Sequence, residues 1–298
     1  MEAKIGSVRH YLRILLIGGA MGVANIIPGV SGGTIAVVFG IYEDLMEALG
    51  NFLTDKIKRW VYVLFLVVLF SGALVAIVSL APVLSWAFAN HPLPTVYFFI
   101  GLIVGSIPVV IRSQDDMTPS ISRTAAFLVG LIVVVILALM QTDGANQATT
   151  IDFASFSTLD YLYFLFCGMI AASAMIVPGV SGSFILILLG VYWTVLASIS
   201  GLTTILFQKG LTGEMITRLA ILGALGIGIV IGILVISRIM SWALKKYPAP
   251  TMYAILGLIF GSLYQIYPGF EFNINGIISA ITLILGVVIS LKFGVEKS

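Results

Sequence analysis

Apolar residues fall in ten blocks along the chain, at about residues 12–27, 32–49, 60–88, 95–111, 124–140, 161–177, 182–200, 216–243, 250–267 and 274–291. A helix needs roughly 20 apolar residues to cross the hydrocarbon core of a bilayer. The blocks at 60–88 and 216–243 are ample for that, whereas those flanking residues 28–32 and 178–182 are short. The pattern predicts helices throughout, with two short pairs broken in the middle. Each break is either the tip of a re-entrant hairpin, two half-helices that enter and leave on one side, or a loop between two tight spans.

The breaks are copies of each other. IIPGVSGGTIAVVFGIY at 26–42 returns as IVPGVSGSFILILLGVY at 176–192, every shared residue 150 positions later. Proline and glycine in the middle of an apolar run end a helix, and the same ending in matching places marks a duplication. A second block confirms it: SWAFANHPLPTVYFFIGLIVGS at 85–106 returns as SWALKKYPAPTMYAILGLIFGS at 241–262, now 156 positions later. The glycines four apart in GLIVGS and GLIFGS suit close helix packing. The expected organisation is a first repeat over 1–140, an external linker over 141–160 and a second repeat over 161–298.

Composition and charge fix the setting. Of 298 residues, 60% are hydrophobic and 9% charged, where a soluble domain carries about 25% charged residues. The fold class read from this is an all-α polytopic membrane protein. A formal charge of +2 gives no reason to expect a nucleic-acid partner. Cys167, the single cysteine, lies in an apolar block and reads as packing. The opening RHYLRILLIGGAMG resembles a signal peptide, lacks a convincing small-residue cleavage site, and is expected to be retained.

Lys and Arg orient the spans, since they collect on the cytoplasmic side. Arg9 and Arg13 precede the first break, and Lys56, Lys58 and Arg59 follow it. Arg112 and Arg123 flank one later turn, Arg238, Lys245 and Lys246 another, and Lys292 and Lys297 close the chain. The loops ANHPLP and YPGFEFNIN and the 141–160 stretch carry no Lys or Arg. Both termini are then cytoplasmic, and only Lys209 and Arg218 fall on the wrong side. Each half makes a broken pair plus three transmembrane helices, an odd number of crossings, so the two repeats have inverted topology. Inverted repeats with broken helices are the sequence signature of secondary transporters, with the site where the breaks meet.

Candidate chemistry gathers at the breaks. Ser31 and Ser181 are placed to cap the half-helices that follow. The free N–H groups there, with Pro28, Gly29, Gly32 and Gly33 in one tip and Pro178, Gly179, Gly182 and Ser183 in the other, favour an anion. The plainer role for these residues is close packing and self-capping. Asn25 either donates to a head group or satisfies a carbonyl freed by the break. Glu43, Asp44 and Glu47 have Trp193, Thr194 and Ala197 as counterparts. They are either interfacial charges balanced by Lys56 and Lys58 or groups that couple transport to a proton or sodium ion. Arg112 and Arg238 read as anchors or as inner receivers of a phosphate, with Lys209 and Arg218 in the same two roles outside. Catalysis finds no support: His10 and His91 lack metal-ligand spacing, and neither motif serine has a histidine nearby in sequence. No cofactor is expected beyond a coupling ion.

MGVANIIPGVSGGTIAVVFGIYEDLMEAL together with SAMIVPGVSGSFILILLGVY resembles the bacterial polyprenyl-phosphate transporter family, over essentially the whole chain. The resemblance implies a flippase of the bacterial cytoplasmic membrane. It would return undecaprenyl phosphate, the carrier lipid of cell-wall synthesis, from the outer to the inner leaflet by alternating access. The second tip departs by Ser183 where the first has Gly33. The alternatives from the residues alone are a secondary transporter of a small soluble anion and a non-transporting scaffold, which the inverted duplication disfavours.

Overall fold

The computed structural model describes residues 8–26, 31–112, 114, 116–140, 153, 156–199 and 213–294. Pro28, Gly29, Lys209, Lys297 and most of the 141–160 stretch lie outside them, as does the side chain of Asn25, in the last turn of its helix. Twelve helices run in order among the described residues: α1 Val8–Ile26, α2 Gly32–Val38, α3 Tyr42–Asn51, α4 Arg59–Asn90, α5 Pro92–Arg112, α6 Ile121–Leu139, α7 Thr158–Ile176, α8 Gly182–Leu188, α9 Tyr192–Ile199, α10 Gly213–Lys246, α11 Pro248–Ile266 and α12 Ile274–Gly294. Among the described residues there is no strand, and seven helices are long and apolar enough to cross a membrane. The chain is a multi-pass membrane protein.

The apolar blocks at 32–49 and 182–200 are not the unbroken limbs their composition suggests. Each splits into two short helices at a glycine in the left-handed region, Gly40 at φ 69° and Gly190 at φ 72°. The hydrogen bonds at the two splits match. Gly40 N–H donates to Val37 and Ile41 N–H to Ala36, as Gly190 N–H does to Ile187 and Val191 N–H to Leu186. This is the Schellman ending, in which a left-handed glycine lets two amides satisfy the last helical carbonyls. The bend between α8 and α9 is 113°. At about 1.5 Å per residue, α2 with its 7 residues cannot span a bilayer.

The duplication extends to helix contacts. A Cβ on Gly18 of α1 would meet the Leu69 carbonyl of α4 at 1.9 Å, and one on Gly168 of α7 would meet the Leu225 carbonyl of α10 at 2.3 Å. Gly72 lies equally close to Leu15, and Gly228 to Leu165. Contacts step forward together, Gly18 on Leu69 and Gly22 on Ala73, so α1 and α4 are parallel. Gly228 on Leu165 and Gly232 on Met169 show the same for α7 and α10.

Between the later helices the repeats exchange partners. Gly101 of α5 packs on the Leu283 carbonyl of α12, while Gly257 of α11 packs on the Phe127 carbonyl of α6. Both pairs are again parallel, Gly105 following on Val287 and Gly261 on Leu131. Two tyrosines tie the same elements at their ends. Tyr97 of α5 donates to the Gly269 carbonyl between α11 and α12, and Tyr253 of α11 donates to the Met117 carbonyl between α5 and α6. His91 and Tyr247, each before a helix-starting proline, have nearly the same backbone: φ −137°, ψ 57° and φ −133°, ψ 60°.

Packing divides the chain into two compact units. One holds α1–α6, Val177–Val180, the end of α10 from Ser237, α11 and α12; the other holds α7–α9 and α10 up to Ile236. In the second unit Phe153, Phe164, Cys167, Val191, Val195, Ile221 and Leu225 form a buried cluster. Phe153, from the stretch read as linker, is therefore core. Arg218 stacks over its ring at 3.7 Å, pairs with Glu214 at 2.5 Å and donates to the Ala197 carbonyl. That wrong-side cation is fully engaged within its own unit.

Candidate functional site

The first motif closes on a pair of hydroxyls. Ser31 sits at φ −103°, ψ 147°, the extended conformation of a helix N-cap, and its Oγ accepts the Thr34 N–H at 3.2 Å. Those two residues are three apart, so the Thr34 side chain turns back over the cap and its Oγ1 lies 2.9 Å from Ser31 Oγ. Both are buried, at 3% and 1% exposure, and Gly32 and Gly33 between them are buried as well. A buried hydroxyl away from water must find partners.

The partner comes from the second motif. Gly179 N–H donates to Thr34 Oγ1 at 2.9 Å and to Ser31 Oγ at 3.2 Å. Gly179 has φ +84°, and a Cβ there would meet the Leu258 carbonyl of α11 at 2.6 Å, so conformation and space both require glycine. Pro178 is buried beside it. The two PGVSG copies, 150 residues apart in sequence, are thus joined by hydrogen bonds inside the first compact unit.

Ser181 and Ser183 belong to the second unit and behave differently. Ser181 occupies the N-cap position of α8 without a side-chain capping bond. Its hydroxyl lies 2.9 Å from that of Ser183 at an exposed position. Gly182 packs against the Ala171 carbonyl of α7. Two positions differ between the copies here: Ser183 stands where the first has Gly33, and Phe184 where the first has Thr34.

The structure joins Ser31 to Gly179, with Thr34 beside it, and leaves other candidates with different partners. Glu43 is exposed and accepts from Gln114 Nε2 at 3.1 Å. Asp44 is half-buried in the first turn of α3. Glu47 accepts from Tyr62 at 3.1 Å and pairs with Lys245 at 3.4 Å, and Arg238 Nε donates to the Gly50 carbonyl at 3.0 Å. These bonds fasten the end of α3 to α4 and to the end of α10. Arg112 is the last residue of α5 and exposed. Thr34 is the residue that sequence reasoning missed; the available signal was a hydroxyl three residues after a capping serine, present in one copy and lost in the other.

Comparison with known proteins converges on one group. A Vibrio cholerae protein named polyprenyl-phosphate transporter is 35% identical over 278 residues, covering 88% of this chain and 80% of its own length. A Staphylococcus aureus protein of the same name is 32% identical over 282 residues, 94% of this chain and 95% of its own length. No solved structure matches. Residues 21–279 match the family described as undecaprenyl phosphate translocase-like, and the chain belongs to that family.

Proposed function

We propose that this protein carries a polyprenyl phosphate, undecaprenyl phosphate above all, from the outer to the inner leaflet of the bacterial cytoplasmic membrane, recycling the carrier lipid. The phosphate is held where the two PGVSG breaks come together while the polyprenyl tail stays in lipid. The chemistry asks for such shelter, because an unpaired ion in hydrocarbon costs many kcal/mol. The observation that carries the reading is the bond from Gly179 to Ser31 and Thr34, which ties the two breaks in one hydrogen-bonded group. The relatives' names supply the substrate class.

Inverted topology supports alternating access. Because α1 and α4 run parallel, α2 and α3 must bring the chain back to the side where α1 began. Each repeat then makes an odd number of passes, whether the short helices cross fully or only re-enter. The parallel pairs place Arg112 with Lys292 and Arg123 with Lys246 at like ends. That is the distribution expected when those ends and both termini are cytoplasmic. A proton or sodium gradient is the candidate drive, with Glu43, Asp44 and Glu47 as candidate carriers.

The test is flipping of labelled undecaprenyl phosphate in proteoliposomes, with and without each gradient. Ser31→Ala combined with Ser181→Ala should cut the rate at least tenfold at normal protein abundance, the size expected if about two of the hydrogen bonds that these hydroxyls make at the breaks are lost. Wild-type flipping in that double variant would remove the breaks as the site. Movement of soluble anions without movement of the lipid would replace the substrate.

A further inference from the structure

We infer that Thr34 is a positioning residue for the head-group site, acting through the second motif's Gly179; this rests on the transport reading above. Gly179 N–H is buried and must be satisfied. Its nearer acceptor is Thr34 Oγ1 at 2.9 Å, against 3.2 Å for Ser31 Oγ. Ser31 Oγ also receives the Thr34 N–H, so two amides occupy its two acceptor positions. The Ser31 proton is then left to bridge the 2.9 Å to Thr34 Oγ1. Thr34 thus orients the capping hydroxyl beside it and fixes the turn of the other motif.

The Thr34 hydroxyl has no counterpart in the second copy. Phe184 stands at the equivalent place, and there the second motif has no hydroxyl to accept a backbone N–H. Thr34 accordingly sets where Gly179, and with it the second break, lies when the phosphate arrives. Removing its oxygen leaves one acceptor where there were two, without emptying the space, if valine takes its place.

Full-length protein in proteoliposomes tests this with Thr34→Val and Thr34→Ser. Two readouts are taken, hydrogen exchange of the peptide containing Gly179 and flipping of labelled undecaprenyl phosphate. Thr34→Val should speed exchange and slow flipping, each by about tenfold, as expected for one hydrogen bond. Thr34→Ser, which returns the hydroxyl, should recover most of both. Should the valine variant fail to accumulate, Thr34→Ala enters in its place. Unchanged exchange overturns the inference, as does faster exchange with normal flipping. If Ser31→Ala with Ser181→Ala slows flipping and Thr34→Val does not, Thr34 loses its role while the site stands. A wild-type protein that moves no polyprenyl phosphate overturns the transport reading and the role of Thr34 with it.

Discussion

Gly40 and Gly190 each end a seven-residue helix in a backbone conformation that side chains resist. A Cβ at Gly190 would meet nothing within 4 Å, so Gly190→Ala measures the conformational cost alone. It should lower stability by about 1 kcal/mol, read as a reduced midpoint of thermal unfolding in detergent. Gly223, in the middle of α10, also has open space around it but needs no special conformation. Gly223→Ala should move the midpoint the other way, by up to about 1 kcal/mol. From sequence, Gly40 and Gly190 were visible as a repeated spacing and not as helix ends, because a lone glycine in an apolar run is usually tolerated. Thr34 was invisible for a different reason: its partner is an amide 145 residues away, and no local pattern encodes that.

Helix boundaries were largely legible, since eight apolar blocks became single helices and the remaining two divided at their glycines. Which helices pair was not. The glycines of GLIVGS and GLIFGS announced close packing without saying that α5 takes α12 and α6 takes α11. Gly101→Ala would drive a methyl to 2.1 Å from the Leu283 carbonyl, and Gly257→Ala one to 2.0 Å from that of Phe127. Such overpacking costs about 1–3 kcal/mol. Equal losses at the two sites, compared by unfolding in one detergent, would follow from the duplication; a loss at only one would contradict equivalence. The turn between α5 and α6 carries its own electrostatic tie. Hydrogen bonds from Arg123 and then Thr118 hold the Asp116 carboxyl well below the usual range. The tie therefore contributes above the ordinary carboxyl value near pH 4 and fades as pH falls toward the depressed one. Asp116→Asn should make this turn more open to protease at neutral pH, and acid should do the same to the wild type.

For the whole molecule, orientation is the testable quantity. Cys167 is fully buried, which gives a quiet background for thiol labelling in cells. Phe272, 99% exposed between α11 and α12, should as cysteine react with an impermeant reagent from outside. Ser120, exposed just before α6, should as cysteine react only after the membrane is opened. The reverse result would invert the proposed topology. The exchanged pairing of α5 with α12 also has a consequence for synthesis. Residue 101 leaves the ribosome 182 residues ahead of its partner Leu283, roughly 10–35 s at about 5–20 residues per second. Throughout that interval the groove over Gly101 faces lipid or a temporary companion. The nascent chain is therefore most in need of an insertion chaperone while its second half is being translated, and a ribosome stalled there should leave α5 as the segment most readily cross-linked to one.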